Sequence, residues 1–323
     1  MRNLKVVACF VHLIQITSSC FVTSYLRRRS LDVQPCSYRM QQQLGEFEKL
    51  DVSPARLEHQ RLVRLYDFSR YDPIPYHEMW EIQKEILSDQ LERLSVEFQK
   101  ETPESQYLSN AQPFQNLHPS IENYHGFVKK DTFGKGRDSI IMLQHTPVYT
   151  LGTGSDTKFV KNYGTDGGEV SPSGIDVVRI ERGGEVTYHG PGQLVAYPIL
   201  DLREYKKDIH WYIRALEEAI LKALTKIGIS DAKREENVTG VWVNNKKIAA
   251  LGVKVKRWVT MHGLAINVSR QSIDNFSGIV PCGLEGREVC CINDFLEDPI
   301  SVEEFSIHLA DALEEVFEIK LIS

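Results

Sequence analysis

Residues 238–268 read VTGVWVNNKKIAALGVKVKRWVTMHGLAINV, and this stretch decides the fold class. Two apolar runs, Val238–Val243 and Lys247–Val255, flank Asn244 and Asn245, which tolerate the positive φ angles of a two-residue turn. The pattern therefore predicts a β-hairpin, followed by a third strand at Thr260–Val268.

Outside this stretch, strands and helices mix without strict alternation. Apolar residues at steps of three and four predict helices over residues 76–98 and 209–227. The Ser301-Val-Glu-Glu304 pattern is a capping box and predicts the start of a last helix. Short buried strands are predicted at three further places: Ser139–Leu143, Asp176–Ile180 and Gln193–Leu202. The predicted fold class is therefore α/β (α+β), with a mixed β-sheet flanked by helices.

The composition excludes several classes of protein. The 323 residues include 38 Lys or Arg and 44 Asp or Glu, which gives a net charge of -6. This balance argues against nucleic acid as a partner, because such binding rests on basic side chains that neutralise phosphates. The body of the chain has no uncharged apolar run long enough for a membrane span, so no stable membrane association is predicted. Six Cys without a CxxC pair argue against a disulfide scaffold and a Cys-rich zinc site.

The first 45 residues differ in composition from the rest of the chain. No acidic residue precedes Asp32, an apolar run follows Arg2 and Lys5, and Arg27–Arg29 come after that run. These features are typical of a cleaved targeting leader, which is predicted over residues 1–45. Its two-part character predicts a plastid location, with the mitochondrion as the alternative. Residues 56–323 are predicted to form a single domain with a polar insertion around residues 100–138.

A glycine-rich segment is the first candidate for binding. Residues 182–193 read RGGEVTYHGPGQ, with four Gly and one Pro in twelve positions. Glycine lets the backbone approach a ligand closely, and Arg182, Tyr188, His189 and Gln193 supply hydrogen-bonding groups around the opening. A binding loop is predicted, and the alternative is a tight turn between two strands. The segment matches neither GxGxxG nor GxxxxGK[ST], so it does not indicate a nucleotide.

Lys247 begins a strand whose next residues are small and apolar. Strict alternation places Ile248, Ala250 and Gly252 on one face, where they would line a narrow apolar slot. The same rule places Lys247 and Ala249 on the opposite face. The alternative interpretation of Lys247 is a solvated hairpin end.

Cys282 is the candidate nucleophile. Pro281 and Gly283 constrain the backbone around it, which is typical of a thiol presented at a turn. A nearby ammonium favours the thiolate, and Lys247 is the candidate for that role. The alternative is a buried, inert thiol. The Cys290-Cys291 pair has no such setting and is predicted to be structural.

Five segments, in this order and spacing, resemble the lipoyl(octanoyl) transferase family. They are QHTPVYTLG (144–152), RGGEVTYHGPGQL (182–194), KKIAALGVKV (246–255), HGLAINV (262–268) and IVPCG (279–283). The first resembles the family signature HPPVYTLG, with Thr146 in place of a proline. The resemblance runs from about Tyr66 to the C-terminus and is weakest over residues 100–138. The VTYH and Ile209-His-Trp-Tyr212 features look closest to plastid and cyanobacterial members.

The resemblance implies an activity and its partners. Members transfer an octanoyl group from octanoyl-acyl carrier protein to a specific lysine of lipoyl domains. These domains belong to 2-oxoacid dehydrogenase complexes and to the glycine cleavage H protein. The reaction is the first step of endogenous protein lipoylation. No metal or cofactor is implied, because the thioester already carries the activation. The implied fold is similar to the catalytic domain of biotin and lipoate protein ligases.

The resemblance also implies residue roles. Cys282 matches the nucleophile that carries the acyl thioester. Lys247 matches the lysine that lowers the thiol pKa and handles the proton, although the neighbouring Lys246 leaves open which ammonium reaches Cys282. The residues that match the acyl-binding segments are Arg182, Gly183, Gly184, Glu185, Val186, Thr187, Tyr188, His189, Ala250, Leu251, Gly252, Gly263, Leu264 and Ala265.

Two other functions compete with this one. An ATP-dependent lipoate or biotin-type protein ligase would share the fold, but it would need phosphate-binding groups and no nucleophilic Cys. A non-catalytic acyl-binding protein would keep the slot without a covalent step. Cys282 and Lys247 argue against the latter, because neither residue is needed for binding alone.

Overall fold

A mixed β-sheet lies at the centre of the fold. The computed structural model describes residues 61–100, 138–161, 174–235, 238–279 and 288–322. The strands in these residues are β1 (Arg61–Asp67), β2 (Asp138–Leu143), β3 (Val148–Leu151), β4 (Asp176–Arg179), β5 (Val186–His189), β6 (Gln193–Ile199), β7 (Val241–Val243), β8 (Lys246–Lys256), β9 (Val259–Asn267) and β10 (Ile319–Ile322).

These strands form two sheets. The larger has the order β10-β1-β2-β6-β9-β8-β7, and the smaller has the order β4-β3-β5. Strands β10, β1 and β2 run parallel, whereas the neighbours from β2 to β7 run antiparallel. The smaller sheet is also mixed, because β3 pairs parallel with β4 and antiparallel with β5.

Helices cover both faces of the larger sheet. They are α1 (Tyr76–Lys100), α2 (Ile209–Lys226) and α3 (Val302–Phe317). Leu216 of α2 and Leu313 of α3 share one apolar cluster with Ile140 and Leu194 of the sheet. Met79 and Ile86 of α1 share a second cluster with Ile141 and Val195 on the opposite face. The predicted mixed sheet flanked by helices is therefore confirmed.

Local signals explain where the later helices begin. The Asp208 side chain accepts a hydrogen bond from the Trp211 amide at 3.0 Å and caps α2. Ser301 and Glu304 form the predicted capping box at α3. The capped starts fix the ends of two helices whose buried stripes cover the sheet.

A bulge in β8 changes which side chains share a face. Val241 pairs with Ala249 and Trp242 pairs with Lys247, so Ile248 is an extra residue on this strand. Ile248 and Ala249 both pack in the cluster that contains α2. The prediction that Lys247 and Ala250 occupy opposite faces is therefore wrong, because the extra residue in the bulge places both side chains on the same face of the sheet.

Some predictions concern residues that the structure does not describe. The predicted leader over residues 1–45 lies wholly outside the described residues, as does all but the two ends of the insertion at 100–138. Residues Gln60–Ser323 group as one compact unit. Across the parts of the chain that the structure describes, no helix combines the length and apolar character needed to span a bilayer.

Asp138 is a buried carboxyl group at the start of β2. Its Oδ1 accepts a hydrogen bond from the Asp201 amide at 2.9 Å, and its Oδ2 accepts one from the Tyr205 hydroxyl at 2.9 Å. Burial raises the pKa of Asp138 to about 6, despite these two hydrogen bonds. The folded state therefore binds a proton at pH values where the unfolded chain has released it.

We predict that Asp138→Asn becomes more stable relative to the unchanged protein as the pH rises. The folded-state pKa lies above the unfolded value, so the stability due to proton binding is complete below about pH 4 and is lost as the pH rises through 6. Two pKa units correspond to about 3 kcal/mol, so the difference in unfolding free energy should shift by roughly 1–3 kcal/mol. Urea unfolding of both proteins at acidic and alkaline pH measures this shift. A constant difference would contradict the prediction.

Candidate active site

A cavity of about 330 Å³ lies between the larger sheet and the residues around β5. Its volume is in the range of small-molecule sites. Thirteen of the residues singled out from the sequence line it: Arg182, Gly184, Glu185, Val186, Thr187, His189, Lys247, Ala250, Leu251, Gly252, Gly263, Leu264 and Ala265. The structure thus brings together segments that are up to 83 positions apart in the chain, from Arg182 to Ala265.

Two residues that were expected to bind the acyl chain, Gly183 and Tyr188, do not line the cavity. The Gly183 amide donates a hydrogen bond to the Val253 carbonyl at 3.0 Å and ties the glycine-rich turn to β8. The Tyr188 ring packs against Tyr149 and Phe276, on the side of the smaller sheet away from the cavity lining. Alternation along β5 explains this, because Thr187 and His189 flank Tyr188 in an extended strand.

Small residues form one wall of the cavity. Ala250 pairs with Ala265 and Gly252 pairs with Gly263 across β8 and β9. A Cβ on Gly252 would lie 2.7 Å from Arg182 Cδ, and a Cβ on Gly263 would lie 2.2 Å from the Ala196 carbonyl oxygen. Neither glycine therefore tolerates a larger side chain without a shift of its neighbours.

Lys247 lies in the cavity wall and Lys246 does not. Lys247 is 8% exposed, and its Nζ lies 5.0 Å from the centroid of the Trp242 ring. The Lys246 side chain is 48% exposed and forms an ion pair with Glu288. The geometry thus distinguishes two lysines that the sequence left as alternatives.

Cys282 lies outside the described residues, but the chain on both sides of it is placed. Ile279 forms a bridge with Val160 beside the smaller sheet. On the other side, the Lys247 amide donates to the Glu288 carbonyl at 2.9 Å, and the Cys290 amide donates to the Lys247 carbonyl at 3.0 Å. The chain that follows Cys282 is therefore hydrogen-bonded to the backbone of Lys247.

The two described cysteines are poor nucleophiles. Cys290 and Cys291 are buried. Burial, with the nearby Asp294, raises the pKa of Cys290 to about 12 and that of Cys291 to about 11. Both side chains therefore remain thiols at neutral pH.

Arg182 fixes the glycine-rich turn. Its Nη2 donates to the Thr150 carbonyl at 2.8 Å and to the Thr150 hydroxyl at 2.9 Å, and its Nη1 donates to the Gly183 carbonyl at 3.1 Å. Gly184 has a φ of +88°, which a residue without a side chain adopts readily. The guanidinium thus binds β3 and the turn together at the edge of the cavity.

His189 is held in one orientation by a chain of amide groups. Its Nδ1–H donates to Gln193 Oε1 at 2.8 Å, and Gln193 Nε2 donates to Asn267 Oδ1 at 3.0 Å. Asn267 in turn donates to the Cys290 carbonyl at 3.0 Å. Burial lowers the pKa of His189 to about 3, so the ring is neutral at physiological pH. This network links β5, β6 and β9 to the chain beyond Cys282.

His262 also lines the cavity, although the sequence analysis gave it no role beyond its place in the HGLAINV segment. It is 2% exposed, and its φ of +60° is rare for a residue with a side chain. Its amide donates to Gln83 Oε1 at 3.0 Å, and its Nε2 lies 3.6 Å from Glu181 Oε2. Burial lowers the pKa of His262 to about 4, so this ring is neutral as well. A strained backbone in a cavity wall is a structural signal that the sequence does not carry.

The cavity has further lining residues that the sequence did not indicate: Tyr76, Val195, Tyr197, Val238 and Thr239. Among the described residues, no group of three or more His, Cys, Asp or Glu side chains is placed to hold a metal ion. The expected independence from metals and cofactors stays a prediction. Chemically, the site offers an apolar slot with a buried ammonium in its wall.

Comparisons with known proteins identify the family. Residues 125–314 match the family model of the lipoyl protein ligase A/B catalytic domain. The chain is 48% identical over 185 residues to an octanoyltransferase of Nostoc punctiforme, a match that covers 57% of this chain and 76% of the relative. It is 49% identical over 161 residues to a chloroplastic octanoyltransferase of Arabidopsis thaliana, which covers 50% of this chain and 55% of that relative.

Solved structures of lipoate protein ligases are also similar to this chain. The bipartite lipoate protein ligase of Thermoplasma acidophilum aligns over 59% of this chain and 76% of its own, with 20% identity and a TM-score of 0.44. The family rests on the sequence matches, which confirm the resemblance and the acyltransferase activity predicted from the five motifs. The chain belongs to the family of the lipoyl protein ligase A/B catalytic domain, and within it to the octanoyltransferases that act in protein lipoylation.

Proposed function

We propose that the protein transfers octanoyl groups through a thioester on Cys282, with octanoyl-acyl carrier protein as donor. The observation that carries this proposal is the position of Lys247. Its ammonium lies in the cavity wall, and its backbone is hydrogen-bonded to the chain that follows Cys282. An ammonium beside a thiol stabilises the thiolate, which is the reactive form.

The reaction has two steps. The Cys282 thiolate attacks the carbonyl carbon of the octanoyl thioester, and the thiolate of the carrier arm leaves and takes a proton. The amine of a lipoyl-domain lysine then attacks the Cys282 thioester, an amide bond forms, and the Cys282 thiolate leaves. The Lys247 ammonium stabilises the Cys282 thiolate and gives a proton to the carrier thiolate that leaves in the first step. The resulting neutral Lys247 amine accepts the proton that the attacking lysine loses in the second step, which restores the ammonium.

The apolar wall supplies the binding energy for the acyl chain. The small side chains of Ala250 and Ala265 in the cavity wall leave room beside β8 and β9 for an unbranched chain. At about 0.8 kcal/mol for each buried CH₂ group, an octanoyl chain gains roughly 5 kcal/mol. The neutral His189 and His262 rings add no charge to this cavity.

Membership of the family supports proposals for the acceptors and the location. We propose as acceptors the lipoyl domains of 2-oxoacid dehydrogenase complexes and the glycine cleavage H protein. A plastid location is supported by the chloroplastic Arabidopsis relative and by the composition of residues 1–45.

We predict that Cys282→Ser abolishes formation of the octanoyl-enzyme. A serine hydroxyl at neutral pH is a far weaker nucleophile than a thiolate, so no adduct should accumulate. Intact-protein mass spectrometry after incubation with octanoyl-acyl carrier protein measures the adduct, which a lipoyl domain should discharge.

Cys291→Ala is the matched control for this experiment. Cys291 is buried and has a raised pKa, so its loss should leave the adduct intact. An adduct that persists in Cys282→Ser would overturn the mechanism. Transfer that requires ATP and free octanoate would identify the ligase activity instead.

We predict that Lys247→Met slows transfer by about 10²-fold or more and raises the pKa of the Cys282 thiol. Methionine keeps most of the stem length but removes the ammonium. The rate of Cys282 alkylation by iodoacetamide against pH, followed on the Cys282 peptide by mass spectrometry, measures this pKa. Lys246→Met removes an exposed lysine and should leave the transfer rate within about twofold and the pKa of Cys282 unchanged. Equal effects of the two substitutions would refute the assignment of Lys247.

A further inference from the structure

Glu217 is a fully buried carboxylate on α2 that the reaction does not use directly. It is 0% exposed. Its Oε1 accepts a hydrogen bond from the Gly240 amide at 2.9 Å, and its Oε2 accepts one from Arg214 at 2.7 Å. Arg234 lies 3.4 Å from the same Oε2. A buried charge is retained only where it is paired and hydrogen-bonded, so this arrangement is specific.

Gly240 lies directly against the side chain of Lys247. A Cβ on Gly240 would be 2.9 Å from Lys247 Cε, 3.4 Å from Lys247 Nζ and 3.0 Å from the Ala249 carbonyl oxygen. Gly240 also has a φ of +140°, which residues with a side chain rarely adopt. The backbone at Gly240 is therefore a surface on which the end of the lysine side chain rests.

The Lys247 side chain lies close to two residues of one short segment, Gly240 and Trp242. The Trp242 ring lies 5.0 Å from Lys247 Nζ, and Gly240 lies two residues earlier in the chain. Val241 and Val243 instead pack in the apolar cluster that contains α2. Alternation along β7 thus turns Gly240 and Trp242 towards Lys247, while α2 and Glu217 lie on the other face of the sheet.

We propose that Glu217 is a positioning residue for Lys247. Its carboxylate holds the Gly240 amide across the edge of the sheet, and the fixed Gly240 backbone and the Trp242 ring restrict the flexible lysine stem to one direction. The ammonium is then held where it stabilises the Cys282 thiolate. This inference rests on the proposed function, because it takes the ammonium of Lys247 to be the group that lowers the thiol pKa.

A purely structural role makes a different prediction. Glu217 then only joins α2 to Arg214 and Arg234, so its loss lowers stability and leaves the chemistry of Cys282 unchanged. The direct effect of charge is also separable, because removal of a nearby negative charge by itself lowers a thiol pKa. A rise in the pKa of Cys282 therefore reports displacement of the ammonium.

The test compares four substitutions in the full chain. Glu217→Leu removes the acceptor for the Gly240 amide, and Gly240→Ala inserts a methyl group against Lys247. Glu217→Gln keeps an oxygen for the Gly240 amide, since the half-exposed Arg214 can turn to water. Arg214→Met removes a partner of Glu217 and leaves the Gly240 hydrogen bond in place.

The readouts are the pKa of Cys282 from iodoacetamide alkylation against pH, the single-turnover transfer rate and the thermal unfolding midpoint. We expect Glu217→Leu and Gly240→Ala to raise the thiol pKa by about one unit and to slow alkylation at neutral pH about tenfold. Glu217→Gln and Arg214→Met should show no rise in pKa, whatever their midpoints. Even if Gly240→Ala fails to fold, Glu217→Leu and its two controls still decide the matter.

The outcomes separate this inference from the proposed function. If Lys247→Met raises the thiol pKa and Glu217→Leu does not, the positioning role is overturned and the role of Lys247 stands. If Glu217→Gln raises the pKa as much as Glu217→Leu, the hydrogen-bond route is overturned. If Lys247→Met leaves the pKa unchanged, the proposed role of Lys247 itself fails.

Discussion

The antiparallel pairing of β8 with β9 is the interaction on which the rest of the structure depends. It runs from the Ala249–Ile266 pair to the Lys256–Val259 pair. One face of this ribbon forms part of the core beneath α2 and α3, and the other face forms the wall of the cavity. The second face carries Ala and Gly where most sheets carry branched side chains. The hydrophobic core and the cavity wall therefore depend on the same two strands.

The parts of the fold that were predictable have local signals. The Asn244-Asn245 turn has φ angles of +49° and +63°, as a two-residue hairpin requires, and the capping box at Ser301 marks the start of α3. Strands β1 and β10 were not predicted, because Arg61 pairs with Ile319 at the far end of the chain. No local pattern contains the information for a contact of that separation.

The site shows the same division between local and distant information. Motifs indicated the glycine-rich turn and Lys247, since unusual residues stand close together in the sequence. Tyr76 and Tyr197 carry no such signal, and only the packing of α1 on β6 brings them to the cavity. Glu217 looks like an ordinary helix residue in the sequence, and its burial depends on the loop before β7. Residues that act on a site through a second group are the hardest to find from sequence.

The bulge at Ile248 gives the spacing of residues in β8 a meaning of its own. Because of the extra residue, Lys247 and Ala250 face the cavity together, while Ile248 and Ala249 face α2. Deletion of a single residue between Lys247 and Ala250 would turn the lysine towards the face that packs on α2, where burial strongly disfavours an ammonium. A deletion in this segment therefore reorients every side chain that follows or precedes it, whereas a substitution changes one position.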